Sequence, residues 1–66
     1  MYALLNEKTG KFFRMENRYG VCIEVDTFIE AKTFKTKEAA RYANVDLKND
    51  YIVISFEEAL VKELVY

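Results

Sequence analysis

The chain has 66 residues, 52% of them hydrophobic, with five Tyr, five Phe, no Pro, no His, one Cys and a formal net charge of −1. One domain is expected at this length, burying about 60% of the surface its unfolded form exposes, with a core that supplies about 3–5 kcal/mol. A lone cysteine, Cys22, excludes an intrachain disulfide, and without histidine there is no imidazole for zinc, so neither a metal nor another cofactor is expected.

The near-zero charge argues against a dedicated non-specific nucleic-acid binder, and the aromatic, β-branched composition argues against disorder. Met1–Asn6 lacks the basic start of a signal peptide, and the longest apolar runs, Tyr51–Ile54 and Ala59–Val61, are too short to cross a bilayer. A cytoplasmic protein with no membrane partner is therefore expected. Self-association stays open, because so many aromatic residues in so short a chain can furnish both a core and an adhesive face, and a homodimer is one outcome.

Tyr2–Glu7, Lys8-Thr9-Gly10 and Lys11–Glu16 read as two strands joined by a tight turn, with Gly10 providing the positive φ such loops need. Apolar side chains in both phases of the first strand suggest that it is covered on both faces. Asn17–Gly20 reads as a second turn, and the alternation of Val21, Ile23 and Val25 with Cys22, Glu24 and Asp26 predicts a third strand with one buried face, completing a three-stranded meander. Phe28–Lys35 has no clean period and suits a short helical turn before a connector.

Thr36 then stands as a helix N-cap before Lys37–Ala43, where Ala39, Ala40 and Ala43 share a face that lets the helix lie close to a sheet, and Asn44 is a candidate stop. Tyr51–Phe56 is the most strand-like run, and its continuous apolarity suggests an interior position in the sheet. Residues 56–66 admit either helix or strand. The capping-box pattern Ser55-Phe56-Glu57-Glu58, with Phe56, Ala59, Leu60 and Leu64 on one helical face, favours helix. The expected fold is thus α+β: a small antiparallel sheet of about four strands, one helix packed on it and a C-terminal helix.

The segment Glu30-Ala31-Lys32-Thr33-Phe34-Lys35-Thr36-Lys37-Glu38-Ala39-Ala40, between an N-terminal hairpin and the Tyr51-Ile52-Val53-Ile54 strand, resembles small uncharacterised bacteriophage-type α+β proteins, in which an A-x-x-F-x-T-x-E-x-A stretch carries an apolar Ala and Phe into the core before a helix. The resemblance covers the middle and end of the chain. It implies a viral origin and, because many such proteins disable a host factor, an inhibitor of which anti-CRISPR proteins are one class; it carries over no active site.

Catalysis is not expected. The commonest general base, histidine, is missing, and Cys22 lies in a strand with nothing to activate it, as a structural cysteine would. Glu57 and Glu58 are adjacent and point to different sides of a helix or a strand, which suits favourable charge in a first helical turn better than a cooperating pair. Asp46, Asn49 and Asp50 do not have EF-hand spacing, and Gly10 and Gly20 are isolated, so no phosphate-cradling loop is present.

The charges fall in blocks. Lys8, Lys11, Arg14 and Arg18 dominate residues 1–18, Glu24, Asp26 and Glu30 stand in 19–30, Lys32, Lys35, Lys37 and Arg41 follow, and residues 44–66 are acidic again. Three readings follow. The first is a protein-binding module that occupies a surface on a host protein or a protein–nucleic-acid complex. Its candidate interface consists of the acids Glu24, Asp26, Glu30, Asp46, Asp50, Glu57 and Glu58, with Tyr19, Tyr51 and Tyr66 as aromatic anchors. The second is a nucleic-acid-binding regulator with Lys11, Arg14, Lys35, Lys37 and Arg41 gathered into one patch beside Tyr42 or Phe12; nucleic acid ranks below protein as a partner. The third is a virion component acting by self-assembly.

Overall fold

A computed structural model of the chain describes residues 1–48 and 50–64, with the side chains of the last helix described as far as Val61. The N-terminal hairpin forms as expected from β1 (Tyr2–Asn6) and β2 (Lys11–Glu16), with Leu5 opposite Phe12 and Asn6 opposite Lys11. Its loop closes because Gly10, at φ 74°, donates its N–H to the Asn6 carbonyl at 2.8 Å while the Asn6 side chain accepts from Lys8 N at 3.0 Å. The next turn is organised by Asn17, whose Oδ1 accepts from the N–H groups of Tyr19 and Val21. It delivers the chain into β3 (Cys22–Val25), antiparallel to β2.

After a turn at Phe28–Glu30 the chain continues through α1 (Lys37–Asp46), β4 (Ile52–Ser55) and α2 (Phe56–Leu64). The four strands make one antiparallel sheet in the order β3-β2-β1-β4, with one helix packed on it and a second, short C-terminal helix. Both helix starts carry the side chains expected of them. Thr36 Oγ1 accepts from Ala39 N at 3.1 Å, and Ser55 and Glu58 complete a reciprocal capping box, Glu58 N donating to Ser55 Oγ and Ser55 N to Glu58 Oε1.

The register of β2 shifts between Phe13 and Met15, and its pairing with β1 is confined to Leu5 and Asn6. The extended segment 32–34 fills the opening this leaves: Lys32 N donates to the Phe13 carbonyl at 3.0 Å, and Tyr2 and Phe34 exchange a pair of N–H···O bonds at 2.9 and 2.8 Å. This is why the Ala31-to-Phe34 stretch enters the core. Ala31 packs against the cluster on one side of the sheet and Phe34 against the cluster on the other.

Because β1 is flanked by β2 and β4, its alternating side chains serve both faces, and Ala3, Leu4 and Leu5 are all buried. Ala3 and Leu5 join Phe12, Phe28, Ile54 and Ala59 under α2 and the Phe28 turn. Leu4 joins Phe13, Ala40 and Tyr51 under α1. Edge-to-face aromatic pairs brace both sides: Phe28 against Phe12 and Phe56, with ring centroids 5.9 and 5.4 Å apart, and Phe13 against Tyr51 at 5.5 Å.

Several sequence expectations are corrected. β4 is an edge strand, and its apolar run is explained by layers above and below it rather than by a strand on each side. In β3 the expected buried face is reversed over its first half: Val21 and Ile23 are exposed beside Met15, whereas Cys22 packs under α1 and only Val25 reaches the other cluster. Here β3 is also an edge, and the layer built by α2 does not extend over this corner. Asn44 does not stop α1, which runs on to Asp46 and ends at Leu47, followed by Lys48 at φ 62°. Of the three alanines, Ala40 is buried, Ala43 half-buried and Ala39 exposed. Segment 28–35 is turn and extended chain without a helical turn of regular structure. The choice between helix and strand after Phe56 resolves as helix to Leu64, and Val65 and Tyr66 lie outside the described residues.

Candidate protein interface

Three of the candidate interface residues turn out to have structural duties. Tyr51 is 5% exposed, packed edge-to-face against Phe13, with its hydroxyl donating to Glu24 Oε2 at 2.9 Å. A ring so enclosed has no face to offer a partner, so Tyr51 is a core residue and not an anchor. Glu24 is correspondingly turned inward, accepting also from Asn6 Nδ2 at 3.0 Å and Thr9 Oγ1 at 3.1 Å. Burial pushes the Glu24 carboxyl up, but the three hydrogen bonds from Asn6, Tyr51 and Thr9, with the Lys11 charge, outweigh it and hold the group below its ordinary value. The Tyr51 phenol is pushed well above its ordinary value by burial and then by the Glu24 carboxylate and the Cys22 thiol beside it. Glu58 is engaged in the capping box of α2.

The remaining acids divide between two regions. Asp46 and Asp50 line a cleft of about 150 Å³ at the end of α1, with Glu16, Cys22 and Leu47. Among the described residues no group of three or more Cys, Asp and Glu side chains is placed to hold a metal ion. Asp26, Glu30 and Glu57 lie elsewhere, next in sequence to Thr27, Ile29 and Phe56, which with Phe28, Ala59 and Leu60 line a groove of about 270 Å³ between the Phe28 turn and α2. Glu30 accepts from the Thr27 hydroxyl at 2.8 Å, and Glu57 follows Phe56 in the exposed first turn of α2. Tyr19 is exposed at the tip of the β2–β3 turn with the Arg18 guanidinium 5.2 Å from its ring centre. Tyr66 lies outside the described residues.

The basic residues do not gather into the expected single patch. Lys11 is opposite Asn6, whereas Lys35 follows Phe34, which is opposite Tyr2, so the length of β1, about 13 Å at a rise of about 3.3 Å per residue, separates the two. Lys11 is in addition 3.8 Å from Asp26. Arg14, at the irregularity in β2, donates to the Glu30 carbonyl at 3.2 Å and so turns to the face covered by α2, while Lys37 and Arg41 stand one helical turn apart on exposed positions of α1, which packs on the opposite face.

No family model, curated protein or solved structure matches the chain. The functional reading therefore rests on surface geometry, and the groove between the Phe28 turn and α2 is one apolar feature of it. Ile29, the largest exposed apolar residue of the Phe28 turn, is 88% exposed, and Phe56 and Leu60 present part of their surface beside it. The groove residues were not singled out as an interface by sequence reasoning, although two signals were present. Phe28 and Ile29 are adjacent in a segment without helical or strand period, so only one of them can be expected to point inward, and Phe56 and Leu60 fall four apart on α2.

Proposed function

We propose that this chain is a small protein-binding module that acts by occupying a surface on a partner protein, as an inhibitor of a host protein or defence complex would. The observation that supports this reading is the apolar groove of Phe28, Ile29, Phe56, Ala59 and Leu60, in which Ile29 is 88% exposed. Exposed apolar surface in a concave patch is a usual mark of a recognition site, in which a few anchors supply most of the affinity.

The nucleic-acid reading receives less support, since the cationic side chains are divided between two faces and two ends of the sheet. Lys37, Arg41 and the exposed Tyr42 on α1 are what remains of it. The two readings separate in one experiment, affinity capture from a bacterial lysate with tagged protein, with and without nuclease, alongside the Ile29→Asp variant. A protein retained after nuclease and lost with Ile29→Asp is the expected result. Capture that disappears with nuclease and ignores Ile29→Asp would transfer the assignment to the α1 face.

A further inference from the structure

We infer that the open edge of β3 pairs antiparallel with the same edge of a second copy of the chain, about a two-fold axis at Ile23. The two edges of the sheet differ. On β4, Asn44 holds the main-chain groups of Tyr51 and Glu58 holds the N–H of Ser55. On β3, Val21 turns its main chain toward β2: its carbonyl accepts from Asn17 N at 2.9 Å and its N–H donates to Asn17 Oδ1 at 3.0 Å. Alternation along an antiparallel strand then aims the N–H and C=O of Ile23 inward as well, and those of Cys22 and Glu24 outward. Among the described residues no loop or side chain hydrogen-bonds to these outward groups. The helices pack on β1 and β4, toward the other edge. An edge left open in this way takes an extended strand.

The edge itself says which strand. The apolar positions of Val21-Cys22-Ile23-Glu24-Val25 read alike in both directions. With Ile23 opposite Ile23 of the second copy, Val21 falls opposite Val25, and the outward groups of Cys22 and Glu24 exchange N–H···O bonds, twice over by symmetry. Met15, opposite Ile23 within each copy, extends the contact into one apolar row on the side of the sheet that α2 leaves bare; Met15 is 48% and Ile23 39% exposed. Sliding the pairing by two residues loses this match, setting Glu24 against Glu24 one way and Val25 against Tyr19 of the turn the other. In the matched register Asp26 comes opposite Gly20 of the second copy, in the turn that carries Arg18, so opposite charges meet at each end. Glu24, the one charged residue of β3, already accepts from Asn6, Thr9 and Tyr51, so a strand laid beside it leaves its carboxylate satisfied. Because the β4 edge is capped, pairing stops at two copies.

Sedimentation over a wide concentration range is expected to show a monomer–dimer equilibrium that goes no further. Amide hydrogen exchange, followed by nuclear magnetic resonance, locates the contact: the N–H groups of Cys22 and Glu24 should gain protection as concentration rises, while that of Ile29 does not. Ile23→Lys sets like charges face to face at the axis and is expected to weaken dimerisation at least about tenfold. Val21→Lys, at a more exposed position outside the regular strand, should weaken it as well, and far-ultraviolet ellipticity checks that both variants remain folded. An equimolar mixture of Ile23→Lys and Ile23→Glu is expected to associate more tightly than either variant alone, as only a contact of residue 23 with itself allows. A monomer at every concentration, a dimer indifferent to both lysine variants, or a mixture no tighter than its components would each overturn the inference. So would a monomer that loses a captured lysate protein with Ile23→Lys, since the edge would then belong to a foreign strand.

Discussion

Glu24 and Tyr51 show how a residue type that looks like an interface group from its neighbours in sequence becomes an internal one. Nothing local distinguishes Glu24 from Asp26; the difference arises because Glu24 opposes Phe13 on the face that α1 covers, where Asn6, Thr9 and Tyr51 each donate to its carboxylate. These donors hold its folded value below the ordinary one, near about 4.3 for glutamate. The unfolded chain therefore binds more protons than the folded one in that window, and stability rises with pH through it. The contribution is present above the ordinary value and is lost as pH falls through the folded one. Tyr51→Phe removes one charge-assisted hydrogen bond and should lower stability at neutral pH by about 1–2 kcal/mol, with a smaller further loss on acidification than in the parent protein. Urea unfolding at a series of acidic pH values measures both effects, and an unchanged acid limb would mean that Glu24 does not depend on Tyr51 for its ionisation.

At the scale of elements, what was legible in the sequence was what short-range chemistry dictates. The hairpin followed from Gly10 and the alternation around it, and both helix starts followed from Thr36 and Ser55 with their partners three positions along the chain. What was not legible depended on contacts distant in sequence: the edge position of β4, the exposure of Val21 and Ile23, the separation of the basic blocks, and the groove that forms only when the Phe28 turn meets α2. Asn44 illustrates the difference. It reads as a helix stop, yet its amide donates to the Tyr51 carbonyl at 2.7 Å and accepts from Tyr51 N at 3.1 Å, as a neighbouring strand's peptide would. Tyr2 bonds away from β4, to Phe34, so alternation turns the backbone groups of Tyr51, Val53 and Ser55 outward. Asn44 covers the first of these, Glu58 covers the Ser55 N–H, and the open edge shrinks to Val53. Asn44→Ala should therefore do two things: lower stability by about 1–2 kcal/mol and expose an uncharged Ile52–Ser55 edge to pairing with another chain. Sedimentation across a range of concentrations should show self-association in the variant beyond that of the parent, and identical behaviour of the two would mean that the edge is guarded by other means.

At the scale of the molecule, the sheet is one wall shared by two small cores, and β1 is the element that joins them. Leu4 belongs to the core under α1 and Leu5 to the core under α2, and neither can leave its place without moving the other through the backbone between them. Neither cluster is large enough to stand alone, since even the whole chain, at 66 residues, buries a modest core. The two should therefore melt together. Ile54→Val, on the α2 side, and Phe13→Leu, on the α1 side, are each expected to lower stability by about 1 kcal/mol, small enough to leave the variant folded. Under a shared transition, either substitution shifts the urea midpoint of every probe equally: far-ultraviolet ellipticity from the helices, and the ring resonances of Tyr51, which sits in the α1 core, followed by nuclear magnetic resonance. Independent cores would instead leave the Tyr51 signal unmoved by Ile54→Val while the ellipticity lost an early component. Coincident midpoints in both variants would establish that the groove on one face and the Glu24–Tyr51 network on the other are supported by a single cooperative unit, so that a partner binding the groove also stabilises the opposite face.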